Sequence, residues 1–502
     1  MHDRREFLRM LGLGLVGAPF AGSLADAADG AADPDRLNLL VLCIEDLRDD
    51  LELMHTPHID RLAATSVNFG RAYVQQAVCA ASRASFLTGC RPDTTGVDYP
   101  YNDWFTGEFL PDHPSFPRYF ADHGYFVRCY GKWHHGPPLD LHGIHGRTGG
   151  GRRFALGESR RDPPPPTEIA DVPDSAYRDA HVADRGIEAL RGAAGQDRSF
   201  FVGLGFHAPH LPWAAPKRYW DLYDPDQIPL AGAPTLPEGV PSFAPATYEL
   251  PTYETPIEEW DPREPIDEAY ARHLRHGYFA AVSYLDAQIG RVLAALEDLA
   301  LADRTVVLLL SDHGFSLGEQ GCWGKHTVYE VATRVPLMLR APGIVTGVSC
   351  DALVEYVDIF PTLCELAGLP VPTYCEGLSV VPLLNRPGRP WKSAAFSQYA
   401  RWDMLEAYSM STRQYHYVEW RLRRAADEGY WAGEVGDVRA RELYDLQVDP
   451  HETTNLVGRE GNTHLVAQLS GRLRAGWREA LPSGLTNPSD NPPSPLSPVM
   501  PD

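Results

Sequence analysis

Apolar residues in this chain cluster into short unbroken runs, and four of those runs end in charge. "LNLLVLCIEDLRDDL" is almost wholly apolar over residues 37–44 and ends in adjacent carboxylates, Glu45 and Asp46. "GYFVRCYGKWHHG" has a strand-like run at 125–130 followed by Lys132, His134 and His135. "SFFVGLGFHAPHLPW" runs apolar at 199–204 and delivers His207 and His210, and "RTVVLLLSDHG" at 305–310 delivers Asp312 and His313. Runs apolar at nearly every position predict parallel strands buried on both faces. Between them lie helical patterns with apolar residues three and four apart, clearest over residues 270–299. Alternating strands and helices predict an α/β fold with a mostly parallel, doubly wound sheet. In such sheets a ligand crevice lies beyond the carboxyl ends of the strands. A single polar strand end is commonly a turn or cap, whereas four charged ends predict a site.

The Pro- and Gly-rich stretches 149–168 and 231–256 predict long loops over one side of the sheet. Past residue 384 the texture changes to short aromatic-rich segments such as "SMSTRQYHYVEWRL", expected to form a smaller antiparallel sheet, with a final helix over 465–481. The expected organisation is a signal segment (1–30), a catalytic α/β domain (36–384), a smaller C-terminal α+β subdomain (385–482) and a Pro/Ser-rich disordered tail (483–502). No internal repeat is seen.

The 502 residues allow a large core, and their formal net charge of -22 argues against a nucleic-acid partner. An anionic substrate would need a local cluster of cations acting against that mean field. The N-terminal "DRREFLRMLGLGLVGAPFAG" pairs Arg4 with Arg5 ahead of a short apolar run, and Ala25 to Ala27 offer a cleavage site. This twin-arginine pattern predicts export to the periplasm or beyond by the twin-arginine machinery. Its apolar run is shorter than the ~20 residues of a spanning helix, and no other run is expected to span a membrane. Eight scattered cysteines show no paired ligand spacing, which argues against zinc; a disulfide is conceivable, with Cys364 and Cys375 the nearest late pair.

Cys79 stands out by its neighbours. "AVCAASRASFLTG" predicts a helix beginning at or near Cys79 and capped by Gly89, with Cys79 and Arg83 on one face. A cysteine at a helix N-terminus beside a guanidinium reads either as a reactive, low-pKa thiol or as a residue destined for modification.

"CAASRASFLTG" resembles the signature of the type I sulfatases, in which this cysteine is oxidised to Cα-formylglycine. The resemblance extends through the strand-end carboxylates, "GKWHHG", "FHAPHLP", "SDHGFSLGEQGCWGK", "TRVPL" and "ELYDLQVDPHETTNL", over nearly the whole chain beyond the signal segment. It is most similar to the iduronate-2-sulfatase branch, through "QQAVCAASRASFLTGCRPDTTGV" and "YFAAVSYLDAQIGRVL". The resemblance implies an alkaline-phosphatase-like fold and hydrolysis of a carbohydrate sulfate ester, that of a sulfated uronate or polysaccharide unit. It further implies a formylglycine-generating enzyme as a partner and one divalent cation, calcium first and magnesium second. Glu45, Asp46, Cys79 as formylglycine, Asp312 and His313 are implied as metal ligands. Arg83 and Lys132 would stabilise the hydrated aldehyde, His135 would serve as base for sulfate elimination, and Lys325 and His210 would face the sulfate, with His210 as general acid. His134 and His207 are expected in supporting positions.

Two positions depart from the family pattern: Ala81 stands where the signature usually has proline, and Glu45 where aspartate is usual. Two other readings carry weight: a phosphodiesterase or phosphonate monoester hydrolase of the same superfamily, and a non-catalytic glycan-binding relative. Asp98, Tyr99, Trp104 and Trp323 are candidate sugar contacts that could equally be packing.

Overall fold

The computed structural model describes residues 36–97, 112–135, 139–157, 162–246, 249–257, 259–401, 405–422, 438–485 and 487–490. The expected signal segment, Asp98, Tyr99, Trp104 and the end of the Pro/Ser-rich tail lie outside them.

Eight strands form the main sheet: β1 (Asn38–Ile44), β2 (Val67–Phe69), β3 (Phe126–Gly131), β4 (His145–Gly146), β5 (Phe200–Gly205), β6 (Thr305–Ser311), β7 (Leu337–Arg340) and β8 (Val348–Cys350). Their spatial order is β8-β2-β7-β6-β1-β5-β3-β4. The block from β6 to β4 is parallel, and β7 runs against both its neighbours. The four strands expected from apolar runs are β1, β3, β5 and β6, each with ends within one residue of expectation.

Successive residues of a strand point to opposite faces, and β1 shows why a continuous apolar run was needed. Leu40, Leu42 and Ile44 pack into one core with α2 (Arg178–Ala194) and α3 (Glu268–Asp298). Leu39, Val41 and Cys43 pack into the other, with Phe86 and Leu87 of α1 (Cys79–Thr88). Layers on both faces make the sheet doubly wound. The helix α3 is held at its start by the Asp267 carboxylate, which accepts from the Tyr270 amide at 2.9 Å. By length and composition α3 could cross a membrane, contrary to expectation, but 78% of its apolar window is buried inside the fold. It is a core helix.

The C-terminal sheet is antiparallel, with strands β9 (Ala395–Arg401), β10 (Leu405–Ser411), β11 (Tyr415–Leu422) and β12 (Val438–Asp445) in sequential order. One face carries Phe396, Met410 and Tyr417 against α4 (Thr463–Ala475). The other carries Tyr399, Ala407, Val418 and Trp420 against Ala80, Ala81 and Ala84 of α1. The small residues around Cys79 therefore let a second sheet press against the helix that bears it. The expected final helix over 465–481 is broken: α4 stops at Ala475, Gly476 takes φ 82°, and Trp477–Ala480 forms a separate 3-10 turn.

All eight cysteines are buried and free, and the disulfide that the sequence left open, with Cys364 and Cys375 the nearest late pair, is not formed. The Cys375 thiol lies instead against the Thr88 carbonyl at 3.7 Å, beneath the turn at Gly89.

Candidate active site

Register brings the charged strand ends together. β1 sets Ile44 opposite Ser311 of β6 and Cys43 opposite Gly205 of β5, and Gly205 lies opposite Gly131 of β3. Glu45, Asp312, Phe206 and Lys132 thus leave four neighbouring parallel strands at one level. Asp46 has φ 60°, a left-handed conformation that costs energy for a non-glycine residue. That turn interrupts the alternation of the strand and lets Glu45 and Asp46 both face the crevice. It is held by the Asp46 amide donating to Asp312 Oδ1 at 3.0 Å and by Tyr278 Oη donating to the Asp46 carbonyl at 2.7 Å.

Cys79 is the first residue of α1, and Gly89 ends the helix with φ 73°. Its Sγ donates to Glu45 Oε1 at 3.4 Å and lies 3.2 Å from His313 Nε2. The first three amides of a helix have no acceptor within it, and the Ser82 amide is the first to find one, on the Val78 carbonyl at 3.0 Å. Position 81 therefore has no intrahelical amide bond for a proline to remove. Arg83 does not turn its hydrogen bonds toward Cys79. Its Nε and Nη2 both reach Asp312 Oδ2, at 3.0 and 2.9 Å, and Nη1 donates to the Lys132 carbonyl at 2.5 Å. Arg83 orients Asp312.

The surroundings of Cys79 do not favour an acidic thiol. Burial pushes its pKa well above 9.0; Lys325 opposes this, and the carboxylates of Asp312 and Asp46 reinforce it.

Four carboxylates, Glu45, Asp46, Asp312 and Glu249, face three permanent cations, Arg83, Lys132 and Lys325. Lys325 Nζ bridges both Asp46 oxygens at 3.1 Å and Glu249 Oε1 at 2.9 Å. Lys132 pairs with Glu45. Burial raises the Asp46 pKa well above its ordinary value; Lys325 lowers it, and the Glu249 and Asp312 charges raise it again. His313 is buried and neutral, pushed down to about 3 by desolvation despite Asp312. Its Nδ1 lies 3.0 Å from the Gly314 carbonyl, which can only accept, so Nδ1 carries the proton and Nε2 presents a lone pair.

One ligand atom each from Glu45, Asp46, Cys79 and His210 lie within 4.8 Å of one another, as do those of Cys79, Asp312 and His313. Excess buried carboxylate, a neutral imidazole lone pair and an oxygen-rich donor set fit a hard divalent cation. Of the expected ligands, all five enter these two clusters.

Beside them opens a cavity of about 350 Å³, lined among others by Glu45, Lys132, His135 and His210. His210 Nδ1 donates to the Leu211 carbonyl at 2.5 Å, so Nε2, 3.7 Å from Glu45, carries the lone pair. Burial, then the Lys325 and Lys132 charges, hold His210 well below 6.5. Lys132 itself is held down to about 8 by burial. His134 is buried with Nε2 3.1 Å from Asp140, and His207 is held at Nδ1 by Asp179 at 3.1 Å. Trp323 is not a sugar contact: it is buried in the main core, 6.4 Å from the Trp213 ring.

Sequence reasoning missed Glu249, from the second Pro-rich loop, and three arginines that line the cavity: Arg152, Arg153 and Arg178. The adjacent arginines in "GGGRRFALG" were a usable signal in so acidic a chain.

The model of the sulfatase family matches residues 38–369, and that of the N-sulphoglucosamine sulphohydrolase C-terminal region matches 318–479. The chain is 33% identical to iduronate 2-sulfatase of Mus musculus over 535 residues, covering 89% of this chain and 96% of that protein. It is 32% identical to iduronate 2-sulfatase of Homo sapiens over 536 residues, with the same coverage of each. Among solved structures it is similar in fold to phosphonate monoester hydrolase SpPMH from Silicibacter pomeroyi. The TM-score is 0.70 at 22% identity, covering 90% of this chain and 97% of that one.

Proposed function

Because the chain belongs to the sulfatase family, on its iduronate-2-sulfatase branch, we propose that it hydrolyses the sulfate ester of an anionic carbohydrate using Cys79 converted to formylglycine. Its alkaline-phosphatase-like fold and its class, sulfuric ester hydrolase, follow from membership. The observation that carries the proposal is the placement of Cys79. Its side chain sits at a helix head, 3.4 Å from Glu45 and 3.2 Å from His313, in a pocket where carboxylates outnumber permanent cations.

A divalent cation held by Glu45, Asp46, Asp312, His313 and residue 79 would supply charge stabilisation for the sulfate oxygens and acidify the nucleophile. Formylglycine, when present, supplies a hydrated aldehyde whose second hydroxyl allows sulfate to be released without a separate hydrolytic water. The remaining duties fall to the chain's own side chains. Lys325, buried, and Lys132, on the cavity wall, place positive charge where the sulfate oxygens bind. His210 is neutral in the free protein. A bound sulfate offsets the two lysines and favours a proton on Nε2, which His210 then gives to the departing alkoxide. His135, on the same cavity wall, accepts the proton that must leave when sulfate is expelled. Arg83 keeps Asp312 aimed, as a positioning residue.

The sugar class rests on the iduronate 2-sulfatase relatives and on a cavity sized for about one sugar ring. Export through the twin-arginine machinery is proposed from Arg4 and Arg5, the apolar run that follows them and the cleavage site at Ala25 to Ala27, and a formylglycine-generating enzyme is the partner the modification requires. The test is mass spectrometry of the peptide containing Cys79 from the native host, with turnover of an aryl sulfate and a matched aryl phosphodiester. The expected results are formylglycine at position 79 and a higher kcat/KM for the sulfate. A preference for the phosphodiester would make the chain a phosphohydrolase of the same fold, and a wholly unmodified thiol in a protein that turns over neither would make it a binding relative.

A further inference from the structure

We infer that Arg152, Arg153 and Arg178 form a second oxyanion subsite, which receives a carboxylate or a further sulfate on the sugar whose ester is cleaved. The inference rests on the sulfatase reading and deepens it. All three side chains line the cavity that Glu45, Lys132, His135 and His210 also line. A cavity of about 350 Å³ spans one sugar ring with its substituents, so a group at the arginine end belongs to the same ring or to its immediate linkage.

The arginines come from two segments that the backbone locks together. Gly149, Gly150 and Gly151 all have φ between 61° and 67°. A Cβ on Gly151 would lie 2.6 Å from Arg178 Cα, and one on Gly150 would lie 2.6 Å from the His181 ring. Only glycine permits this close approach to the start of α2. The Arg152 amide then donates to the Ala176 carbonyl at 2.9 Å, which fixes the loop beside Arg178.

Among the described residues, no carboxylate lies within 4.0 Å of these three guanidinium groups. Asp179 is the nearest in sequence, and it is already engaged. It accepts from the His207 and Ala208 amides at 3.0 and 2.7 Å, and holds His207 Nδ1 at 3.1 Å. Arg153 Nη2 donates to the Leu211 carbonyl at 2.7 Å and to Tyr253 Oη at 2.5 Å, which leaves Nε and Nη1 for a ligand. Burial lowers the Arg178 pKa; Asp179 raises it, and the charge of Arg153 lowers it again. The half-buried Arg178 thus feels the charge of Arg153, and an anion in the cavity offsets that repulsion. Planar guanidinium forks suit carboxylate and sulfate alike.

Four substrates test this with the metal-loaded, formylglycine-bearing enzyme: a methyl uronoside 2-sulfate, its methyl ester, a methyl glucoside disulfate and the corresponding monosulfate. An aryl sulfate serves as the activity reference. Wild type is expected to favour the free acid over its ester, or the disulfate over the monosulfate, by about 10- to 100-fold in kcat/KM, mostly through KM. Whichever pair shows the larger ratio identifies the natural anion. In Arg152→Gln/Arg178→Gln that ratio is expected to fall at least about tenfold. Arg178→Lys, which keeps the charge and loses the fork, should fall between. Arg153 is left intact because the Leu211 carbonyl it binds also holds His210.

Equal kcat/KM within both pairs for wild type would overturn the inference without any variant. So would a ratio that the double variant leaves unchanged. Failure on the aryl sulfate as well would instead overturn the sulfatase reading, and with it the subsite.

Discussion

Two buried charge clusters in this molecule are built from the same residue types and do different things. In one, Arg91 forks onto Glu355 at 2.8 and 2.9 Å, and Lys392 reaches Glu355 at 2.9 Å and Asp358 at 2.6 and 2.7 Å. The Phe396 and Leu378 amides complete the two carboxylates at 3.0 and 2.8 Å. Two cations balance two anions and every carboxylate oxygen points at a partner in the chain, so no carboxylate oxygen is left over for a cation. At the strand ends, carboxylates exceed permanent cations, and donor atoms converge on a shared space beside Cys79. A buried charge network becomes a site when its geometry leaves a common point unsatisfied, and becomes a brace when every lone pair is closed internally.

The largest expected break between the two comes from Cys79→Ala. Turnover of an aryl sulfate should fall at least about 10⁴-fold, as for loss of a covalent nucleophile. The same variant should melt within about 3 °C of wild type, since only one small polar group, the thiol or the aldehyde made from it, is removed. Retained turnover would sink the mechanism. Next, Asp312→Asn should drop activity by more than about 100-fold and lower the bound divalent cation measured by elemental analysis. An unchanged cation content would remove Asp312 from the ligand set.

The brace should respond in the opposite sense. Arg91→Ala leaves Glu355 partly unpaired in the interior and should cost about 3–5 kcal/mol in denaturant unfolding. The folded fraction should keep its kcat. A loss of kcat without a loss of stability would erase the distinction drawn here.

A smaller effect is expected with pH. Burial pushes the Glu355 carboxyl up, but the Arg91 and Lys392 charges outweigh it and hold it well below its ordinary 4.5. A carboxylate with a depressed folded pKa stabilises above its unfolded value and loses that contribution as pH falls below it. Stability should therefore decline from about pH 4.5 downward, with a shallower decline in Glu355→Gln, read from urea midpoints across pH. Smallest of all, Glu45→Asp should shift the ratio of calcium to magnesium activation by less than about tenfold, because it moves one ligand oxygen without removing it.

Much of the site could be read from the chain because its residues sit next to features that pattern reveals. Glu45, Lys132, His210 and Asp312 follow apolar runs whose strands end within a residue of expectation. Cys79 and Gly89 bracket one helix. Glu249 gave no such signal, since a lone acid in a Pro-rich loop gains meaning only when Lys325 lies 2.9 Å away. Trp323 stayed open between contact and packing for the converse reason: an aromatic beside a motif looks like a ligand contact until the core closes over it. The expected helix over 465–481 ran past Gly476 because its apolar spacing continues through the break.

By itself, then, the sequence determined which segments are buried strands, where charge is released at their ends, and that a helix starts at Cys79. Those are properties of neighbouring residues, set by side-chain period, capping and backbone preference. Only the tertiary structure decided that β6, β1, β5 and β3 lie side by side, that Arg83 serves Asp312, and that Arg178 lines the same cavity as Arg152 and Arg153. Each of these is a distance between residues far apart along the chain, and local pattern carries no information about such distances until the layers pack.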